Sequence, residues 1–469
     1  MTSSRVVKNT AWLTVGEIAG RLLRIVLIFY SARALGAAEW GVSSYLLSWA
    51  VLFTIATDLG LSAIVTRELV RDHSRRAEHL STFLFIKVAL LFTATLVIVL
   101  VVPHVGALPL SRSLMLSLAA LVFFDSMRII ASTVNRAREA MHREAFINIF
   151  TQAVILAIGM LMLRVAPSAE NLNIAYAVGS AVGTLYAFFL IRDHLPGILT
   201  SFRRPLVREL MRDSLPIAIV GLLGSLMLNT DIVMLGWMRT AAEIGYYSAT
   251  QKIIFTLYVL PTLIASATFP AMTRLAHDMP EFKRFFEKTL KYSLMLALPI
   301  TVGGIMTASQ TIDFFYGAAY LPATASYVIL LLTVPIAFTT SIINNALIAR
   351  NSQKHFLTYA SIGLISNVIF NFLLIPIWGI NGTAVATFIT GSIAGLFIWH
   401  RLNALSGFSL PHGLGKTIFA CAIMGVIAYA CAALGTNVLV TIFAGACSYA
   451  AALYALREPA FITLTKRLK

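Results

Sequence analysis

Charged side chains are scarce in this chain of 469 residues: they make up 12% of the sequence, whereas hydrophobic residues make up 58%. Soluble domains carry about 25% charged residues, so this chain has too little polar surface to cover a core of its size. The shortage excludes a water-soluble globular protein. The abundance of apolar residues also excludes an intrinsically disordered chain. A mean hydropathy of +0.83 is typical of a protein that crosses the membrane many times.

Cysteine is also rare, and the chain has only Cys421, Cys431 and Cys447. The number is odd, no two of them form a close pair, and no histidine cluster accompanies them. This pattern argues against a disulfide framework or a zinc site, and it predicts buried thiols that act as small apolar side chains.

Long hydrophilic segments are missing as well. No loop between the hydrophobic runs is long enough for a soluble catalytic domain, and the phosphate-binding pattern GxxxxGK[ST] is absent. We therefore expect no ATP hydrolysis, no cofactor, no metal and no enzymatic activity.

Long hydrophobic runs, in contrast, follow one another along the whole chain. A helix needs about 20 mostly apolar residues to cross the hydrocarbon layer, and this criterion predicts an all-α polytopic membrane protein with about 14 transmembrane helices. The predicted spans are Ala11–Ala32, Gly41–Val65, Leu80–Val102, Ser113–Val134, Phe146–Leu163, Leu172–Ile191, Ser214–Met238, Tyr246–Met272, Tyr292–Gln310, Thr324–Ala349, Phe356–Trp378, Asn381–His400, Thr417–Leu434 and Asn437–Leu456.

The net charge of +16 is explained by orientation in the membrane. With the N-terminus in the cytoplasm, about three quarters of the Lys and Arg residues fall on cytoplasmic segments, as the positive-inside rule favours. The outer loops hold only Arg33, Arg112, Arg164 and Arg239. The sequence therefore predicts that both termini are cytoplasmic, and the charge requires no nucleic acid.

An internal duplication is visible in two octets, Ala37–Ser44 (AAEWGVSS) and Ala241–Ser248 (AAEIGYYS), which match at five of eight positions. Each octet joins the first and second spans of a six-span block. Because six is an even number, the two blocks face the same way, which predicts two parallel lobes around a central cavity. The predicted divisions are an N-lobe over residues 1–192, a cytoplasmic linker over 193–213, a C-lobe over 214–402, and two extra helices with a cytoplasmic tail over 403–469.

Ionisable residues within the spans are costly and usually face a bundle interior or a water-filled cavity. Most of them lie in the first seven spans, so the N-lobe is the polar one. They are Glu17, Arg21, Arg24, Asp58, Lys87, Asp125, Arg128, Asp231 and Lys252.

The first span is the most informative, because Glu17, Arg21 and Arg24 fall within about 60° of one another on the helix. Glu17 can pair with Arg21 at i,i+4, which leaves Arg24 without a local partner. A deep guanidinium of this kind suits a phosphate, with which its planar fork makes bidentate hydrogen bonds. We therefore predict anion binding by Arg21 and Arg24. The alternative is that these charges, and a second pair formed by Asp125 and Arg128, only hold helices together.

The remaining in-span charges allow more than one role. Lys252 lies in the outer third of span eight, where Asp231 of span seven could pair with it or carry a proton. Asp58 could be a coupling carboxylate or the partner of Arg24, and Lys87 could be functional or could snorkel to the cytoplasm.

Several short motifs carry a resemblance to a known family. Lys8-Asn9-Thr10 before the first span, Arg33-Ala34-Leu35-Gly36 followed by Gly41, and Asp58-Leu59-Gly60-Leu61 followed by Thr66-Arg67-Glu68 resemble the start of polysaccharide transporters. These are the Wzx-type lipid-linked oligosaccharide flippases of the multidrug/oligosaccharidyl-lipid/polysaccharide superfamily. The span count and the six-plus-six repeat agree along the whole chain.

The resemblance implies two six-helix lobes around a V-shaped cavity in a bacterial inner membrane. It implies that an undecaprenyl-pyrophosphate-linked oligosaccharide moves from the inner to the outer leaflet by alternating access, for exopolysaccharide, capsule or O-antigen synthesis. Arg21, Arg24, Arg128 and Lys252 would be the counterparts of the family's cationic cavity. Besides substrate and membrane lipids, we expect polysaccharide polymerase and export machinery as partners of a monomer.

Three other classes remain open at the sequence level. A cation-coupled multidrug antiporter of the same superfamily needs an acidic, aromatic cavity, whereas the first span here is basic. A membrane polymerase or ligase needs catalytic groups on a substantial outer loop, which this chain lacks. A flippase for peptidoglycan precursors is distinguished by essentiality, since its loss should lyse cells.

Overall fold

The computed structural model describes residues 3–72, 74–352, 355–408, 413–459 and 461–462, and throughout these ranges the regular structure is helical. The predicted cytoplasmic tail beyond residue 462 lies outside the described residues. The helices are α1 (Ser3–Ala56), α2 (Leu61–Arg71), α3 (Arg76–Leu100), α4 (Arg112–Ala137), α5 (Met141–Val165), α6 (Ala169–Ile191), α7 (Arg204–Met238), α8 (Ala241–Leu257), α9 (Val259–Leu275), α10 (Met279–Met306), α11 (Ala308–Tyr316), α12 (Thr324–Leu331), α13 (Thr333–Ala349), α14 (His355–Ser406), α15 (Leu414–Ala433) and α16 (Val438–Ala455).

Twelve helical runs in the described residues are long and apolar enough to cross a membrane. Two of them are interrupted by a glycine with non-helical backbone angles, Gly36 in α1 and Gly379 in α14. At 1.5 Å per residue, each of these helices would be about 80 Å long, more than twice the roughly 30 Å hydrocarbon thickness. Each of the two is therefore long enough for two crossings, and the span count of fourteen stays a prediction beside the twelve runs.

Gly36 marks the break within α1. Its φ of 71° and ψ of 174° lie in a region that only glycine occupies readily. We expect Gly36→Ala to lower the free energy of unfolding by about 1–3 kcal/mol. Gly224 in α7 is the control, because a Cβ there meets no atom within 4 Å, so Gly224→Ala should be neutral or slightly stabilising. Equilibrium unfolding in detergent–lipid mixed micelles measures both, and equal effects would contradict this account of the break.

The described residues form two compact units, residues 1–245 and 246–469. In the first unit, the first half of α1 packs on α5, and α6 packs on both α4 and α5. Small residues allow these helices to approach closely, as is common in membranes. Gly16 lies against Ala145, and the Asn148 side chain donates a 3.0 Å hydrogen bond to the carbonyl of Gly16.

Within this unit, the first part of the second octet, residues 241–245, meets the first octet. A Cβ atom on Gly41 would overlap the carbonyl oxygen of Ala241, and a Cβ atom on Gly245 would overlap the carbonyl oxygen of Ala37. Positions 37 and 241, and positions 41 and 245, are equivalent in the repeat. Such reciprocal contacts are what a two-fold axis between two copies of one segment produces, and they support the internal duplication.

The second unit has its own core around α13, which packs on α9, α10 and α14. Phe282, Phe286 and Ile342 are fully buried there. The amides predicted to join helices do so in this unit: the Asn371 amide donates to Asn367, and Asn345 donates to the carbonyl of Ala265. Helices α15 and α16 pack on each other and on α10.

The compact units divide after Gly245, because α7 packs along α1 and α2. This division differs from the one that the sequence repeat predicts. The lobe boundaries therefore stay a prediction.

The expectation of three buried thiols was wrong. Cys421 is buried, but Cys431 is half-buried and Cys447 is exposed, because Cys447 lies on an outward-facing side of α16.

Candidate functional site

The first half of α1 has two kinds of exposed surface. One sector is apolar and the other is polar. Each polar residue comes one or two positions before an apolar residue in the sequence. Because successive residues of an α-helix are about 100° apart, the two sectors face different directions. An apolar sector suits acyl chains, whereas a polar sector at membrane depth must face water, ligand or protein. The apolar residues are Val15, Ile18, Leu22 and Val26, and the polar ones are Thr14, Glu17, Arg21 and Arg24.

Glu17 and Arg21 form the ion pair that their spacing predicts. The Arg21 Nε lies 2.8 Å from the Glu17 Oε1, and the two side chains remain about half exposed, at 51% for Arg21 and 57% for Glu17. Exposed pairs of this kind contribute little free energy, about 0–1 kcal/mol. The binding of another anion by Arg21 stays a prediction.

Arg24 is exposed on the same sector, and among the described residues of the first unit no carboxylate forms an ion pair with it. It lies sixteen residues after Lys8 and twelve before Gly36, which is roughly 24 Å and roughly 18 Å along the helix. Arg24 is thus near the middle of the span, too deep to reach either surface. Helix α1 also packs on α6, and the charge of Arg24 interacts electrostatically with Tyr176 of that helix.

Arg128 and Asp125 pair on α4. The Arg128 Nη2 lies 2.6 Å from the Asp125 Oδ1, and the two side chains are partly buried. The hydroxyl of Ser180 on α6 donates to the same carboxylate oxygen. Ser180 is one turn along α6 from Tyr176, so this pair and Arg24 border neighbouring turns of one helix. The charge of Arg128 is thus compensated by Asp125, and a shared binding site for Arg24 and Arg128 stays a prediction.

Asp58 and Lys87 form a buried pair. The Lys87 Nζ lies 2.9 Å from the Asp58 Oδ1, and the Lys87 side chain is completely buried. Ser62 donates a 2.7 Å hydrogen bond to the other carboxylate oxygen. The snorkelling alternative for Lys87 was wrong, because the ammonium finds a carboxylate nearer than the membrane surface. The partner of Asp58 is therefore Lys87 and not Arg24.

The other predicted site residues lie further along the chain. Asp231 is buried on α7 in the first unit, and Lys252 is half-buried on α8 in the second unit. Their roles in coupling and substrate binding stay predictions. No group of three His, Cys, Asp or Glu residues that could hold a metal ion occurs in the part of the chain that the structure describes.

Sequence reasoning missed Tyr176 and Ser180. Their i,i+4 spacing places both on one face of α6, and this was the available signal. It was weak because hydroxyl groups are common in membrane helices, where they often bond to their own backbone.

The helical organisation is that of a multi-pass membrane protein, and its fold is shared with solved membrane proteins. The lipid II flippase MurJ in an inward closed conformation matches with a TM-score of 0.75 at 16% identity, over 94% of this chain and 98% of that chain. At this identity the likeness shows the fold alone.

The sequence comparison is more specific. Residues 6–276 match the sequence model described as polysaccharide biosynthesis protein, and the chain belongs to this family, a flippase family of the superfamily anticipated above. A relative in Haloferax volcanii, named "Probable low-salt glycan biosynthesis flippase Agl15", is 22% identical over 93% of this chain and 92% of its own length. The lipid II flippase MurJ of Bacillus subtilis is 23% identical over 90% of this chain and 88% of its own length.

Proposed function

We propose that this protein is a flippase that moves an undecaprenyl-pyrophosphate-linked oligosaccharide from the inner to the outer leaflet of a bacterial cytoplasmic membrane. Transport proceeds by alternating access, with both termini in the cytoplasm, and serves exopolysaccharide, capsule or O-antigen synthesis. The family assignment and the flippase names of the relatives support this proposal. The protein acts as a monomer, as a transporter rather than an enzyme, and delivers its cargo to polymerase and export machinery.

The proposal depends mainly on one observation, the exposed guanidinium of Arg24 in the middle of the first predicted span. A pyrophosphate cannot cross hydrocarbon unaided, because removing such a charge from water is very costly. A guanidinium at mid-depth, exposed on a polar sector and without an ion pair to any described residue of its unit, replaces part of the lost hydration through charge-assisted hydrogen bonds. Arg21 and Arg128 can join Arg24 when the phosphate competes with Glu17 and Asp125.

The membrane potential supplies drive in the proposed direction. Outward movement of an anion is favoured by an inside-negative potential, by about 2.3 kcal/mol per charge per 100 mV. The carboxylates Glu17, Asp58 and Asp125 each form an ion pair with a basic side chain. We assign ion coupling to Asp231, a carboxylate that is buried on α7 within a predicted span.

A peptidoglycan precursor is the second candidate substrate, because the Bacillus subtilis relative of similar identity is named a lipid II flippase. Both cargoes share a polyprenyl pyrophosphate and differ in the saccharide. A multidrug cation is a weaker candidate, since the polar sector of α1 presents two arginines and one glutamate.

Proteoliposomes containing the purified protein test the function. Fluorescently labelled lipid-linked oligosaccharide, labelled lipid II and a cationic dye are compared, and exposure at the far leaflet is followed by a membrane-impermeant reductant. We expect protein-dependent movement of the lipid-linked oligosaccharide. Movement of lipid II alone would transfer the proposal to the second candidate, and movement of the dye alone would refute both.

The same assay tests Arg24. We expect Arg24→Gln to slow transport at least about ten-fold, because a charge-assisted hydrogen bond to phosphate contributes about 1.5–3 kcal/mol. Arg24→Lys should retain part of the rate, since an ammonium keeps the charge but loses the bidentate fork. Arg164→Gln, at an exposed arginine at the end of α5, is the matched control. Wild-type transport by a folded Arg24→Gln protein would refute the assigned role.

A further inference from the structure

A cavity of about 290 Å³ lies in the first unit, away from the polar sector of α1. It opens where α3 begins, where α4 ends, and where a short turn, Arg192–His194, follows α6. Its polar lining includes Arg76, Arg138 and His194, and Leu80, Val134 and Pro196 contribute apolar walls. The cavity is thus amphipathic, with cations beside a hydrophobic floor.

The charges around this cavity are predominantly positive. Arg76, Arg138 and Arg143 all lie within electrostatic reach of His194. Two carboxylates oppose these charges: Asp193, whose side chain is 80% exposed and faces Arg192 at 3.7 Å, and Asp72, which accepts hydrogen bonds from the lining residue Ser74. The excess of guanidinium groups favours an anionic ligand.

The guanidinium groups retain donors for such a ligand. Arg76 uses its Nε on the carbonyl of Leu69 at 3.2 Å, and Arg143 uses one terminal nitrogen on the carbonyl of Leu190 at 3.0 Å. Each guanidinium has five N–H donors, so these bonds position the groups without saturating them. Arg138 is exposed and makes no ion pair with any described residue.

We propose that this cavity is a binding site for a phosphate-bearing headgroup. Arginine forks match phosphate oxygens bidentately, and the apolar walls suit the first carbons of an attached chain. Basic pockets between transmembrane helices on the cytoplasmic side bind lipid headgroups of this kind. The same chemistry would accept an anionic phospholipid or free phosphate.

The site is separate from the proposed transport path and does not depend on it. Arg138 follows Arg128 by ten residues, about 15 Å along α4. All of its lining residues lie between Leu69 and Pro196, within the first compact unit, and those after residue 192 belong to the predicted cytoplasmic linker. Occupation would tie the start of α3, the end of α4 and the segment after α6 together.

Native mass spectrometry of the full-length protein in detergent tests the site. Phosphatidylglycerol and phosphatidylcholine are titrated separately, and inorganic phosphate is then added to the phosphatidylglycerol complex. We expect one phosphatidylglycerol to bind at least about ten-fold more tightly than phosphatidylcholine. Displacement by millimolar phosphate identifies a site for the phosphate group itself, and resistance to displacement identifies a lipid site; both outcomes support the shared chemistry.

Variants separate this cavity from general surface charge. Arg138→Gln should weaken phosphatidylglycerol binding about ten-fold, whereas Arg208→Gln, an exposed arginine of α7 outside the cavity, should leave it unchanged. Ala137→Trp fills the cavity without altering charge and should also weaken binding. Equal losses in Arg138→Gln and Arg208→Gln, or equal affinity for the two lipids, would overturn the proposal.

Discussion

Replacing Lys87 by methionine is expected to lower the free energy of unfolding by about 3–5 kcal/mol, the usual effect of removing one partner of a buried ion pair. The Lys87 side chain is fully buried, and its ammonium is 2.9 Å from the Asp58 carboxylate. In the variant, Asp58 keeps the hydroxyl of Ser62 but loses the cation in contact with it. Equilibrium unfolding in detergent–lipid mixed micelles measures the loss.

The location of Asp58 at a break between two helices increases the expected loss of stability. It immediately precedes Leu59 and Gly60, which have φ values of 46° and 71° and separate α1 from α2. The ion pair thus fixes the break between two helices to the middle of a third, α3. An uncompensated carboxylate at this point would draw water into the break or become protonated.

Two further variants separate the effect of the Lys87–Asp58 ion pair from the effect of replacing a lysine. The double variant Lys87→Met/Asp58→Asn should recover most of the stability, because removing both charges removes the desolvation penalty together with the attraction. Lys8→Met removes an exposed lysine at the start of α1 and should change stability by less than about 0.5 kcal/mol. If Lys87→Met matched Lys8→Met, the pair would have no structural role.

Valine at Gly41 is the second change with a large expected effect. A side chain there meets the main-chain carbonyl of Ala241, which cannot rotate away as a side chain could. We expect a loss of about 3 kcal/mol in unfolding free energy, the upper end of the usual effect of overpacking. The contact joins segments of the two octets. We therefore expect the transport rate of the variant to fall as well.

The reciprocal contact makes this prediction sharper. Gly245 meets the carbonyl of Ala37 in the same way, so Gly245→Val should behave like Gly41→Val. A single separation of the segments relieves both collisions, and the double variant should lose less than the sum of the single losses. Gly224→Val serves as the control, since nothing lies within 4 Å of a Cβ at that position. Strict additivity of the two octet variants would show that the contacts are independent.

Charge pairing changes how the polar residues of the spans are understood. Glu17, Asp58 and Asp125 are each bonded to a basic residue within the first unit. These pairs reduce the net positive charge available to a ligand, so the polar sector of α1 depends on Arg24 more than a count of arginines indicates. The pairs also differ: that of Glu17 is exposed, whereas that of Asp58 is buried.

Local features of the sequence were sufficient for much of this description. Hydropathy predicted the spans because each one must present about 20 apolar residues to lipid, irrespective of its neighbours. The Glu17–Arg21 pair was predictable for a similar reason, since i,i+4 residues meet on any helix. The octets located the duplication because their identity is written in the chain itself.

Contacts between distant segments could be decided only by the tertiary structure. Hydropathy does not indicate which helix α3 faces, so the burial of Lys87 against Asp58, twenty-nine positions away, was not predictable, and the snorkelling alternative stayed open. The Ser180 bond to Asp125 and the basic cavity at Arg76, Arg138 and His194 arise in the same way, from helices brought together by packing. Sequence alone thus determined the class of protein and the residues that cross the membrane, whereas helix packing decided which charges are compensated and which remain available to a ligand.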